Sequence, residues 1–190
     1  MVELAVSLTV LLILTAIAIP TLMRSFRTYQ LNSAAASLSD ILKFTRFEAV
    51  RRNSLEYCAF NNPSGPGWVV WTTPSSTSTS PVNTEKQILI SGFATLLPVG
   101  GPPGPGAIAT ALGVSASALN ANTLSGSSGR ITFDARGAIR VGGTVSGSVY
   151  VFYIGSATNP EFGYRAVIQL PSGSTQVWTA PSGGPWQQLS

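Results

Sequence analysis

Residues 1–20 read MVELAVSLTVLLILTAIAIP, and the reading of this stretch decides the fold. Between Leu4 and Pro20 no side chain is charged, and the only polar ones are Ser7, Thr9 and Thr15. Small hydroxyls bond back to a helix's own carbonyls, so they do not interrupt it. A helix from Glu3 to Met23 is about 31 Å long, which matches the hydrocarbon core of a bilayer. A cleaved signal peptide has a shorter apolar core and a basic start, neither of which is seen here. The stretch reads as a retained anchor able to span.

The helical pattern continues beyond it. Leu22, Phe26, Tyr29, Leu38, Ile41, Leu42, Thr45 and Ala49 recur mostly at steps of three, four or seven, with Ala34, Ala35 and Ala36 between them. Arg24, Arg27, Lys43, Arg46, Arg51 and Arg52 largely take other positions. This is the pattern of an amphipathic helix lying on a domain. No glycine occurs before residue 65, and Pro20 is the only proline before residue 63, so nothing but Pro20 interrupts one helix. From Glu3 to Asn53 that helix is about 75 Å long, with a kink expected where the proline ring removes a backbone bond. The chain divides into an apolar helix half (1–23), an amphipathic half (24–53) and a globular part (54–190).

These residues resemble the type IV pilins and the pseudopilins of type II secretion. The resemblance lies in the acidic residue ahead of an apolar run closed by Pro20, and in the Ala-rich helix that ends FTRFEAVRRN at residues 44–53. The latter phrase is similar to the H-type pseudopilins and the FimT-like minor pilins in particular. A looser similarity to their globular domain lies in ITFDARG (131–137) and GYRAVIQLPSG (163–173). In that family a leader is cut after a glycine, and the new terminal residue, commonly Phe, is methylated. Met1 then stands slightly inside the mature end. The resemblance implies a prepilin peptidase, an assembly platform and other pilin copies as partners. It places the chain in a bacterial inner membrane first and in an extracellular or periplasmic filament afterwards. Orientation also rests on it, because Arg24 and Arg27 fall on the side assigned outside.

Composition agrees. About 135 residues follow Asn53, enough for one modest core. Charged residues make up 9% of the chain while Gly, Ser, Thr and Pro are abundant, as in extracytoplasmic β proteins. The net charge of +4 is a weak pointer to an acidic partner. The single cysteine, Cys58, excludes an intramolecular disulfide; it reads as a buried small hydrophobe in an early strand, against the alternative of a reactive thiol.

Strands are expected at Ser54–Phe60, Trp68–Thr72, Lys86–Ser91, Arg130–Asp134, Ala138–Val141, Ser148–Ile154, Gly163–Leu170 and Thr175–Thr179. The helix should stop at Asn53, Asn61–Gly67 is a turn cluster, and Thr73–Thr84 is an exposed polar loop, bare or glycosylated. Pro98–Gly106 reads as a rigid turn, and Ala107–Gly129 as a long loop with a short helical turn near Ala116–Ala121. The tail after Thr179 is expected to be exposed, with Trp186 able to tuck back. Short strands after one long helix make an α+β module, an antiparallel sheet wrapped on the helix's C-terminal half.

Chemistry is sparse. There is no histidine, which removes Ser-His-Asp and Cys-His catalysis and the commonest metal ligand. The seven acids, Glu3, Asp40, Glu48, Glu56, Glu85, Asp134 and Glu161, show no metal-site or paired-carboxylate spacing, although folding can join distant ones. No phosphate loop or dinucleotide fingerprint occurs. The sequence thus predicts neither an enzyme nor a cofactor.

Assembly is the function expected, carried by Glu3, Leu4, Leu8, Leu11, Leu12 and Pro20. A carboxylate at the edge of an apolar helix is costly in hydrocarbon unless a partner neutralises it. In the family the acidic residue is taken to meet a neighbouring subunit's N-terminal amine; the bland alternative is a snorkelling acid without a partner. Pro20 either lets the helix melt locally or is a tolerated membrane-helix proline. The alternative function is a FimT-like minor pilin that binds DNA for uptake, with Arg130, Arg136, Arg140 and Arg165 as phosphate contacts. DNA-binding members of the family carry a Gly-Arg-x-Arg type motif near the C terminus. The corresponding residues here are Gly173, Ser174, Thr175 and Gln176, with no arginine.

Overall fold

The computed structural model describes residues 2–62, 67–97, 102–120, 124–125 and 128–189. Helix α1 runs unbroken from Val2 to Arg52, 51 residues with Pro20 inside it. The hydroxyls of Thr9 and Thr15 do bond back, to the carbonyls of Ala5 (2.7 Å) and Leu11 (2.9 Å). The helix ends as expected at Asn53, whose φ of 50° is the left-handed cap conformation that Asn tolerates. The amides of Asn53 and Ser54 turn back onto the carbonyls of Val50 and Ala49, each at 3.2 Å.

Beyond α1 the strands are β1 (Glu56–Asn61), β2 (Gly67–Thr73), β3 (Gln87–Ser91), β4 (Thr95–Leu97), β5 (Leu119–Asn120), β6 (Leu124–Ser125) and β7 (Ser128–Phe133). They continue as β8 (Ile139–Val141), β9 (Thr144–Val145), β10 (Val149–Gly155), β11 (Tyr164–Gln169), β12 (Thr175–Ala180) and β13 (Gln187–Gln188). A short helix α2 (Gly106–Leu112) and two 3-10 turns (Ala116–Ala118, Pro160–Phe162) complete the described residues.

The strands form two sheets, where the sequence reading expected one. The first runs β3-β2-β1-β7-β8-β9, with β6 beside β7; the second runs β13-β12-β11-β10-β4, with β5 beside β10. Pairing is antiparallel except between β5 and β10, which are parallel. Strands β7 and β8 form a hairpin, with Thr132 opposite Arg140 and Phe133 opposite Ile139. The two most apolar strands, β10 and β11, also pair, with Phe152 opposite Val167.

Two sheets form because two apolar layers need cover. In the first core Leu31, Leu38, Ile41 and Leu42 of α1 meet Cys58, Phe60, Val70 and Phe133 of one sheet and Phe152, Ile154 and Val167 of the other. Phe60 and Phe152 stack across the seam, their centroids 4.9 Å apart. Burying each such aliphatic side chain contributes about 1.5–3 kcal/mol. In the second core Val151, Tyr153, Ala166 and Ile168 point the other way, under Ile108 of α2, Trp178 and Trp186. The segment expected to be a long loop with a short helical turn near Ala116–Ala121 has that turn, the 3-10 helix at Ala116–Ala118, and holds α2 as well. Ile108 and Leu112 sit one turn apart, and Gly113 closes the helix in the left-handed conformation at φ 65°. Trp186 does tuck back, donating its indole N–H to the Pro103 carbonyl at 3.1 Å. Parts of three expected features, at residues 63–66, 98–101, 121–123 and 126–127, lie outside the described residues, as does Met1.

Candidate functional site

The amphipathic reading of α1 holds only for its upper part. Leu38, Ile41, Leu42, Thr45 and Ala49 are buried, but Leu22, Phe26 and Tyr29 of the same stripe are 60–68% exposed. The sheets reach down only as far as Leu31, so the stripe continues past the domain that covers it. Polar and cation–ring contacts help to fix the docked half. Thr45 and Thr72 share a hydroxyl hydrogen bond of 2.7 Å. Lys86 lies over the Phe44 ring at 4.4 Å, and Arg27 over Phe93 at 4.7 Å.

Residues 2–26 are exposed throughout. Glu3 stands at the free end, with Leu4, Leu8, Leu11 and Leu12 at 61–75% exposure above it. The structure thus leaves these residues and Pro20 together on one bare rod. This helix is long and apolar enough to cross a membrane, with a mean hydropathy of 2.5 over its best window. Pro20 lies within it and offers no N–H to the carbonyl four residues back.

The four arginines read as phosphate contacts are placed differently. Arg130, Arg136 and Arg140 lie on one hairpin, β7 to β8, whereas Arg165 belongs to β11 of the other sheet. Arg165 is buried; its Nε donates to Asn32 Oδ1 at 2.6 Å and Nη1 to the Tyr164 carbonyl at 2.9 Å, pinning α1 to the second sheet. Burial also lowers its pKa from the ordinary value. Arg130 donates to the Ser78 carbonyl at 2.6 Å and covers Tyr57. Arg140 donates to the Gly143 carbonyl and lies 3.5 Å from Asp134. Arg136 is exposed.

A second feature was not visible in the spacing of the acids. Folding brings Glu48 and Glu56 together with Glu85 around a cleft of about 230 Å³ at the top of α1. Glu48 accepts from Arg51 (2.7 and 3.0 Å) and Arg52 (2.9 Å), and Arg51 holds its carboxyl below the usual range against the opposing effect of burial. Glu56 is 1% exposed; burial raises its pKa, and the ion pair with Arg52 at 3.2 Å only partly offsets this. A buried acid with a raised folded pKa binds a proton more readily folded than unfolded, so its contribution to stability is lost as pH rises through that window. Glu48 acts oppositely, losing its contribution as pH falls through its depressed folded value. Removing Glu56 by Glu56→Gln is expected to flatten the decline of the thermal midpoint on the alkaline side of the ordinary carboxylate pKa. A variant whose midpoint follows pH as the parent does would contradict this. Among the described residues no group of three His, Cys, Asp or Glu side chains is placed to hold a metal ion.

The sequence matches no protein-family model, and no curated protein gives a match. Among solved structures, two crystal forms of the type IV minor pilin FimU of Pseudomonas aeruginosa are similar to this chain. One has 19% identity and a TM-score of 0.47, covering 84% of this chain and 100% of that one. The other has 15% identity and a TM-score of 0.37, covering 85% and 90%.

Proposed function

We propose that this chain is a structural subunit of a type IV pilus-like filament or a type II secretion pseudopilus, polymerising through its N-terminal helix. The observation that carries the reading is the bare rod of α1. Sixteen-residue apolar surfaces such as Leu4–Ile19, with 0% of the best 18-residue window buried, do not stand in water. Lipid covers the rod before assembly, and other pilin copies cover it afterwards. Residues 1–23 then form the membrane or filament core, 24–53 the docked half, and 54–190 the outer surface. Prepilin peptidase and an assembly platform follow from the resemblance at residues 1–20.

Glu3 supports the reading because a carboxylate at that end of the rod needs a cation once water is gone. In the filament its partner is a neighbouring copy's terminal amine. Glu3→Gln is expected to leave expression and membrane level unchanged while lowering the amount of chain in sheared filaments severalfold, measured by immunoblot of the filament and membrane fractions. Unchanged incorporation would remove the role given to Glu3.

A further inference from the structure

Where α1 leaves the sheets, an uncharged groove, with Gln30, Ser33 and Ser37 among its apolar lining residues, opens between it and the edge strand β3. Its walls are Phe26 and Tyr29 on the helix and Leu89 on the strand, all 60–68% exposed. Its floor is Ala34, Ile90 and Ala94, and the groove holds about 220 Å³. None of the side chains that line it is charged. At Phe26 it continues into a second apolar hollow of about 450 Å³ formed by Leu22, Met23 and Arg27. The one charge there is turned aside, since Arg27 lies over Phe93 and donates to Gln30 at 3.2 Å.

We propose that this groove receives the apolar helix half of a second copy of the chain. The inference rests on the assembly reading above and names the surface that the rod meets. Three observations select this occupant. An uncharged groove accepts an uncharged helix without the cost of burying a charge, and Leu4–Met23 carries no charge. The groove and the rod lie on one continuous helix, Val2–Arg52, with the rod running away from the groove, so a chain cannot fill its own. The exposed apolar surface of the rod also runs without a break into the groove through Leu22, Met23 and Phe26. Groove and rod are different surfaces of the same chain, so the contact is heterologous. Repeated without closure, such a contact builds an open filament.

Leu89 is the residue on which the test turns, because it lies on an exposed sheet edge where lysine is well tolerated. In native cells, full chain carrying Leu89→Lys is expected to keep its thermal midpoint in detergent and its membrane level, while incorporation into filaments falls at least tenfold. Val145→Lys, on an edge strand of the same sheet and similarly exposed, is expected to incorporate normally.

Cross-linking supplies the second arm. Cys58 is buried and its thiol is pushed up to about 12, so it does not compete under mild oxidation. One copy carries Leu89→Cys, and a second carries a single cysteine at position 8, 11, 12 or 15. Disulfides require Cα atoms within about 7 Å. Linked dimers are expected at one or more of these rod positions, which share a helical face, and at none when Val145→Cys replaces Leu89→Cys. Filaments that contain the chain but show no link from Leu89→Cys to the rod would overturn the groove while leaving the assembly reading intact. Loss of membrane retention by Leu89→Lys, with no link formed, would make lipid the occupant and equally overturn it. A chain found in no filament would overturn both readings.

Discussion

Gly173→Ala is expected to lower the thermal midpoint of the full chain in detergent by roughly 6–12 °C. Gly173 has φ 83°, a region that costs an L-residue about 1–2 kcal/mol. A Cβ there would also overlap the carbonyl oxygen of Gly137 and approach Arg46 Nε to 2.7 Å. At Gly137, where φ is 75°, an added Cβ would come as close to the same Arg46 Nε, at 2.7 Å, so two turns from two sheets and the helix converge on one point. The amide of Ile139 donates to the Pro171 carbonyl at 3.1 Å and ties the two turns together. Backbone cannot yield there as a flexible side chain could, and forced shifts cost about 1–3 kcal/mol more. A total near 3 kcal/mol corresponds to the stated shift for a chain of this size. Gly142→Ala is the control. Its φ is 58° but its surroundings are open, so only the conformational cost applies and the midpoint should fall by roughly 2–8 °C. Equal losses at the two positions would contradict the account of this junction.

Leu12→Lys is expected to abolish assembly. Leu12 lies near the middle of Leu4–Ile19 and is 61% exposed, so the domain does not need it to fold. A lysine at the centre of a membrane helix costs about 3 kcal/mol, roughly a 150-fold shift away from insertion. Within a filament core the same charge has no partner on a neighbour's apolar rod. The chain should still fold, with an unchanged thermal midpoint in detergent, while disappearing from the membrane and filament fractions alike. Normal recovery in sheared filaments would contradict the rod's role.

Much of the fold was legible because periodicity is local. The step of three and four through Leu38, Ile41, Leu42, Thr45 and Ala49 marked the docked face, and the alternation-free runs at 148–154 and 163–170 marked strands buried on both sides. The end of docking was not legible. Leu22, Phe26 and Tyr29 continue the same stripe, and only the reach of the sheets decides that they stay bare. The second core was hidden for a related reason. The seven residues Gly106–Leu112, five of them Ala, Ile or Leu, lie between Pro105 and Gly113 and are too few for a clear period, yet Ile108 among them is completely buried. At the site, Glu3 and the rod could be read directly because adjacent residues carry them. The Glu48–Glu56–Glu85 cleft and the anchoring of Arg165 on Asn32, 133 positions away, depend on long-range contacts that residue spacing does not encode.

The most direct measurement is electron cryo-microscopy of filaments sheared from native cells, with an antibody to this chain marking its position. The account predicts copies of the chain in the shaft or at the tip, with residues 2–26 enclosed in the core against neighbouring subunits. Intact filaments that contain no copy, while the chain stays dispersed in the membrane, would contradict it.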